Sequence, residues 1–297
     1  MRPYQLLAAI MFMLSGTAAG EALGKLKVYI SADMEGVGGV STWIKQANED
    51  GLDYGQYRRL MTLEVNAAIA GAYDAGATEV LVSDSHGDGE NIDLELLDSR
   101  VPIVRSWPRP LGMMQGIDDS FDAVVFVGYH AGEGQGEAMM SHTKNGSRFF
   151  EIRLNGTPVP EAGISAAIAG EFGVPVVFLS GDQTAAAEAK RLLGPIETAV
   201  VKTASGYLSG TMLSPAKCRQ LIRDGVKRGV ANRRLFRPYR LAHPVSLDIT
   251  FKRTVNAEVA SYFRGVERPR GDAIIYKAED MLDASRFIEA MDHIEVK

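Results

Sequence analysis

A chain of 297 residues, 46% hydrophobic and 23% charged, can bury a large core in one big domain or two smaller ones, and this composition excludes disordered and collagen-like classes. The formal net charge of -5 and a pI near 5.6 leave no electrostatic footprint for nucleic acid, so no nucleic-acid partner is expected. Cys218 is the single cysteine, which excludes an internal disulfide and a thiolate metal site. Any metal chemistry must use oxygen and imidazole ligands.

The first stretch, MRPYQLLAAIMFMLSGTAAGEA, has one cation (Arg2), an apolar run from Leu6 to Leu14, and small residues ending at Thr17-Ala18-Ala19. This is the layout of a secretory signal, and the apolar run is too short to span a bilayer. Residues 1–19 are expected to be cleaved, leaving a periplasmic or secreted protein with no stable membrane span.

Beyond it, strands and helices alternate, which predicts an α/β fold: a mostly parallel sheet flanked by helices. Lys27 to Ala32 reads as the first strand. From Tyr54 to Ala75, apolar residues recur at helical spacing before Gly76, and EVLVS (79–83) is the second strand. A short strand at 103–105 and a strong one at 122–128 follow. In FFEIRLNGTPVP, Asn155-Gly156 suits a type I′ hairpin turn. A helix ending near Gly173, a buried strand in VPVVFLSG, a helix over 184–193 and a strand over 197–201 complete the regular part. After about residue 208 the texture changes to a basic amphipathic helix (214–230), an irregular connection, and then strand, helix, strand, helix. The expected organisation is an α/β metal-binding catalytic domain over 24–208 and a smaller α+β C-terminal domain over 209–297.

Several segments end in unusual polar residues. The first strand runs into Asp33-Met34-Glu35, the second into SDSHG with Asp84 and His86, and the 122–128 strand into GYHAG with His130; the hairpin leads to Glu161. In open α/β sheets ligands bind outside the carboxyl ends of the strands. Carboxylates and imidazoles gathered there suit zinc, manganese or iron. Asp33 and Glu35, two apart on an extended segment, point to the same side and can anchor a two-metal centre.

Each residue alone has a plainer alternative. Two acids after a strand commonly cap a turn, Asp84 can orient His86 or cap a helix, His130 can be a hydrogen-bonded polar residue, and Glu161 an ordinary N-terminal helix acid. His142, in a loop rich in glycine and acids, reads as a surface residue or a proton shuttle. Glu64 sits in the apolar stripe of its helix as a paired core acid. His243 and His293 read as structural.

Five ordered motifs carry a further signal: SADMEGVGGV, YRRLMTLEVNAAIAGAYDAGATEVLVSDSHG, FVGYHA, MMSHT and NGTPVPEAGISAAIAGEFGVPVVFLSGD. Over residues 26–205, and more loosely to the C-terminus, they resemble the D-aminopeptidase family of zinc peptidases, peptidase family M55. The resemblance implies two Zn2+ per chain, held by Asp33, Glu35, His86, His130 and Glu161 with Asp33 bridging, and His142 as the catalytic residue. Chemically, His142 suits general acid/base work rather than nucleophilic attack, and Asp84 is expected to support a metal-bound histidine. The resemblance also implies a homo-oligomer acting on short peptides; export makes peptides containing D-alanine the expected substrates. A different metal-dependent amidohydrolase and a non-catalytic exported solute-binding protein are the competing readings.

Overall fold

The structure, a computed structural model, describes residues 24–295; the expected signal segment lies outside them. In chain order the first half contains β1 (Lys27–Ala32), α1 (Tyr54–Asp74), β2 (Glu79–Asp84), β3 (Ile103–Val104), β4 (Ala123–Val127), β5 (Phe149–Leu154), β6 (Thr157–Pro158) and α2 (Glu161–Glu171). The second half contains β7 (Val176–Asp182), α3 (Gln183–Leu193), β8 (Glu197–Ala204), β9 (Gly210–Met212), α4 (Pro215–Ala231), β10 (Val245–Phe251), α5 (Thr254–Ala260), β11 (Val266–Arg270), β12 (Ala273–Ala278) and α6 (Met281–His293).

Local chemistry sets these boundaries. Met61, Val65, Ala68, Ile69 and Ala72 form the buried stripe of α1, and the chain leaves the helix through Gly76 at φ +93°. Asp182 caps α3 by accepting from the Thr184 and Ala185 amides, Ser214 caps α4 ahead of Pro215, and Asp280 caps α6. Asn155 and Gly156 take φ values of 48° and 78°, which is the backbone a type I′ turn requires.

The main sheet has the order β3-β2-β1-β4-β7-β8-β9, parallel throughout except for β8 with β9. Side chains of β1 alternate between its faces: Val28 and Ile30 join the core shared with α1 and α4, and Tyr29 joins the core shared with α2. A second, antiparallel sheet of order β11-β12-β10-β5-β6 contributes Ile152, Leu154 and Ile249 to that same α2-side core. Helix α2 is buried from Glu161 to Gly170. The second sheet draws strands from both sides of residue 208, since β5 pairs with β10. Several short elements go beyond the sequence reading, among them β9, the exposed edge strand β11, whose VERPR sequence lacks apolar alternation, and a single π-helical turn over Trp43–Ala47.

Strand β1 lies between β2 and β4, so the strand order reverses there: β2 and β3 are added on one side of β1, and β4, β7, β8 and β9 on the other. A crevice therefore opens above the ends of β1 and β4. Two glycines let the loops there touch. The Gly36 amide donates to the Gly128 carbonyl at 2.7 Å, and a Cβ on Gly36 would collide with the Gly128 and Tyr129 carbonyls. Gly128, at φ +71°, faces the Asp33 carbonyl with equally little room.

Under this crevice Glu64 of α1 is buried and accepts the Gly38 amide at 3.0 Å, with its other oxygen unpartnered. Burial pushes its carboxyl up to about 7 from 4.5, against the pull of the Gly38 amide and Lys202. Above that window both folded and unfolded chains carry the charge; below it neither does. The folded state therefore loses up to about 3 kcal/mol as pH rises from about 4.5 to about 7. Glu64→Gln keeps an acceptor for Gly38 and removes this slope. Thermal melts should show the variant more stable than the parent at pH 8 and level with it near pH 4.5; parallel curves across that range would refute the assignment.

Candidate metal centre

Each candidate ligand arrives on a loop that the sheet topology brings to the crevice. Asp33 and Glu35 follow β1, His86 follows β2, His130 follows β4, and Glu161 opens α2. All five are buried, none more than 4% exposed. His142 comes from the loop before β5 and is the open member, with its side chain 18% exposed toward the cavity.

The two oxygens of Asp33 face different partners. Oδ1 lies 3.2 Å from His86 Nδ1, which is also 2.9 Å from Glu35 Oε2. Oδ2 lies 3.3 Å from His130 Nε2, which is 3.5 Å from Glu161 Oε1. Glu161 Oε1 is in turn 3.6 Å from His142 Nε2, and the His130 and His142 rings stack at 4.1 Å and 9°. The six residues thus form two constellations that share Asp33.

Hydrogen-bond bookkeeping decides what these constellations can hold. His86 Nε2 faces the Ala47 carbonyl at 2.6 Å, His130 Nδ1 the Ala131 carbonyl at 2.9 Å, and His142 Nδ1 the Met140 carbonyl at 2.9 Å. A carbonyl only accepts, so each of these nitrogens carries the hydrogen. In the neutral rings the remaining nitrogens are bare lone pairs, and all three are aimed at carboxylate oxygens. Lone pair against carboxylate is repulsive unless a positive charge lies between them. Asp33 Oδ2, Glu35 Oε2 and His130 Nε2 are buried with no hydrogen-bond partner, atoms that a cation would satisfy. Histidines steered by backbone carbonyls and facing carboxylates make the donor set of a metal site.

The electrostatics express the same demand. Burial raises Asp33, and the Glu35 charge beside it raises it further. Burial would also raise Glu35 and Glu161, but the histidines outweigh it, holding Glu35 well below the carboxylate range and Glu161 at about 2. Burial alone would lower His86 and His130; the carboxylates facing them raise both well above the usual imidazole value. Without a metal the cluster collects protons in its place.

Asp84 does not touch the His86 ring, contrary to the expectation that it would support a metal-bound histidine directly. Its oxygens accept from Asn91 Nδ2 at 2.8 Å and the Ile92 amide at 2.6 Å, because the chain after His86 folds back over it. Asn91 also donates to the His86 carbonyl at 2.6 Å, so Asp84 fixes the loop rather than the ring. His243 pairs with Glu171 on the surface, away from the crevice. His293 bonds the Glu289 carbonyl and borders the cavity, a position the sequence did not reveal.

The cavity in front of the cluster holds about 650 Å³. Both tryptophans of the chain, Trp43 and Trp107, line it, as do Lys144, Glu289 and Asp292. None of these was singled out from sequence. Lys144 links the far wall to the site: its amide donates to Glu161 Oε1 at 2.6 Å and its ammonium pairs with Glu289 of α6 at 2.7 Å.

A sequence profile of the D-aminopeptidase family, Peptidase M55, matches residues 26–290. The chain belongs to the D-aminopeptidase family. A D-aminopeptidase of Bacillus subtilis (strain 168) is 34% identical over 278 residues, 92% of this chain and 98% of that protein. The solved structure of the Zn-dependent D-aminopeptidase DppA from Bacillus subtilis, described as a self-compartmentalizing protease, superposes with a TM-score of 0.86 at 33% identity. That match covers 90% of this chain and 96% of the other. As a D-aminopeptidase family member this protein is a metallo-aminopeptidase, a hydrolase of peptide bonds, and the reading as a non-catalytic binding protein is set aside.

A metal that completes the cluster should stabilise the folded chain by mass action, about 2.7 kcal/mol at a hundredfold excess over its Kd. Zinc added to chelator-treated protein is expected to raise Tm. Asp33→Asn should abolish that rise while leaving the metal-free protein at least as stable as the parent, because it removes a crowded carboxylate. An undiminished zinc shift in Asp33→Asn would show that the metal binds elsewhere.

Proposed function

We propose that the protein is a binuclear zinc D-aminopeptidase that removes the N-terminal residue from short peptides, with D-alanine as the preferred residue. The observation that carries the reading is the set of three imidazole lone pairs aimed at carboxylates that share Asp33. Asp33 Oδ1, Glu35 and His86 would hold one ion; Asp33 Oδ2, His130 and Glu161 would hold the other, with His142 within reach of the second group. The donor atoms that lie closest together are those of His130, His142 and Glu161 and those of Asp33, Glu35 and His130. When bound, zinc polarises a scissile carbonyl and makes a water nucleophilic near neutral pH.

The protein's own residues supply the rest. His142 is fixed through Nδ1 and presents Nε2 to the cavity, where it takes the proton that the attacking water gives up and delivers it to the leaving amine as the C–N bond breaks. A cavity of about 650 Å³, lined by Asp33, Glu35, His142 and Glu161, suits a short peptide. Zinc dependence and self-compartmentalization are stated for the Bacillus subtilis relative. By likeness to it, zinc use and a closed homo-oligomer are part of this proposal. So is a periplasmic or secreted location, which rests on the N-terminal signal pattern.

The test is elemental analysis of the purified protein with parallel assays on D-Ala-D-Ala and L-Ala-L-Ala, before and after chelation. Two zinc per chain and chelator-sensitive release from the D-dipeptide are expected. Metal without release from either dipeptide would redirect the site to another amide, and equal release from both would remove the stereochemical claim. His142→Ala should lower kcat by about 10²–10⁴ with zinc content unchanged; loss of zinc instead would make His142 a ligand.

A further inference from the structure

Lys202 carries no sequence signal of function, yet it is the most fully buried lysine environment in the site's neighbourhood, 1% exposed on β8. Its ammonium donates to the carbonyls of Glu35, Val37 (3.2 Å) and Val40 (2.7 Å). An ammonium has three donors, so its capacity is filled by three carbonyls of a single loop, the one that leaves β1 with Asp33 and Glu35. In the sheet order β1-β4-β7-β8 two strands separate Lys202 from β1, so this tie is not a by-product of strand pairing.

Among the described residues Lys202 makes no ion pair with a carboxylate; the acids around it, Asp182, Glu64, Glu35 and Asp33, act at longer range. A buried ammonium is a costly way to gain stability, and an apolar side chain of similar volume commonly serves better. What it does provide is directionality: three fixed hydrogen bonds that curl the loop beneath its own carboxylates. Glu64 holds the middle of the same loop through the Gly38 amide. The second constellation depends on other elements, with His130 on the end of β4 and Glu161 on α2 steadied by the Lys144 amide.

We propose that Lys202 is a positioning residue for one half of the metal centre, fixing the turn Glu35–Val40 so that Glu35 and Asp33 Oδ1 stay in register with His86 Nδ1. This rests on the binuclear reading above. It acts through the loop and touches neither substrate nor metal.

The experiment is a zinc titration of chelator-treated protein against a competing chelator, for the parent, Lys202→Met, Lys202→Arg and a core control, Val226→Ala, which truncates α4 elsewhere. Lys202→Met is expected to weaken the ion at Glu35 and His86 by 10–100-fold and the other, which shares only Asp33 with that loop, by a smaller factor. kcat should fall with KM nearly constant, and Lys202→Arg should restore part of the affinity. Val226→Ala should lower Tm without moving either zinc. Should Lys202→Met not fold, Lys202→Gln, which keeps amide donors, takes its place in the same comparison. Parent-like affinity for both ions in the folded variant overturns the proposal, as does equal weakening of both ions matched by Val226→Ala. A parent that binds no zinc overturns the metal centre itself, an outcome distinct from either.

Discussion

Everything at this site depends on one electrostatic constraint: three imidazole lone pairs and three carboxylates are held face to face, five of the six residues buried, at the floor of the cavity. In bulk water such groups would turn away or be screened. Here each ring is locked by a hydrogen bond to a backbone carbonyl, and the acids are held by loops packed through Gly36 and Gly128. The arrangement is repulsive on its own and attractive around positive charge. The fold therefore stores a demand for cations, and the raised histidines beside the depressed Glu35 and Glu161 are that demand met by protons.

Holding such a cluster requires rigid support from below. The loop after β1 rests on Lys202, and the segment at the end of β2 rests on Arg109, which donates to the Asp84 carbonyl at 2.8 Å and Ser83 Oγ at 3.0 Å. Both cations are buried and both donate to oxygens of ligand-bearing segments, Arg109 keeping its Nε for the Ser106 carbonyl. Their charge also offsets part of the negative potential of the acids above them; burial brings Lys202 down to about 8, which leaves it a cation at neutral pH. The second sheet has a separate role. Through α6 and the Lys144–Glu289 pair it closes one side of the cavity, so the small C-terminal elements shape the space in which a substrate would sit.

The main sheet was legible because its strands are short apolar runs bounded by turn residues and its helices carry periodic stripes, as in α1. The candidate ligands were legible because topology makes strand ends the binding edge, and acids or histidines stand at those ends. What stayed hidden depends on long-range placement. Lys202 follows a strand pattern like any edge charge, and nothing local reveals that a loop more than 160 residues earlier in the chain curls over it. Trp43 lies in a single π-helical turn without periodicity, and β11 is a polar edge with no alternation to read. Asp84 misled in an instructive way: adjacency to His86 suggested contact with the ring, but the returning chain took its oxygens through Asn91 and Ile92.

Sharing Asp33 between two constellations has a mechanical consequence. Its Oδ1 also accepts the Met34 amide at 2.8 Å, so one oxygen is tied to the backbone and the other is left without any hydrogen bond. A carboxylate is planar and rigid, and a rotation that improves one side's geometry degrades the other's. The loop that Lys202 secures on one side and the helix that begins at Glu161 on the other must therefore hold their positions together. Unsatisfied buried polar atoms are ordinarily selected against, and here three of them, Asp33 Oδ2, Glu35 Oε2 and His130 Nε2, lie within one shared cluster. A chain that tolerates this concentration of unmet polarity sacrifices stability in the metal-free state, and gains a site whose geometry is set before any ligand arrives.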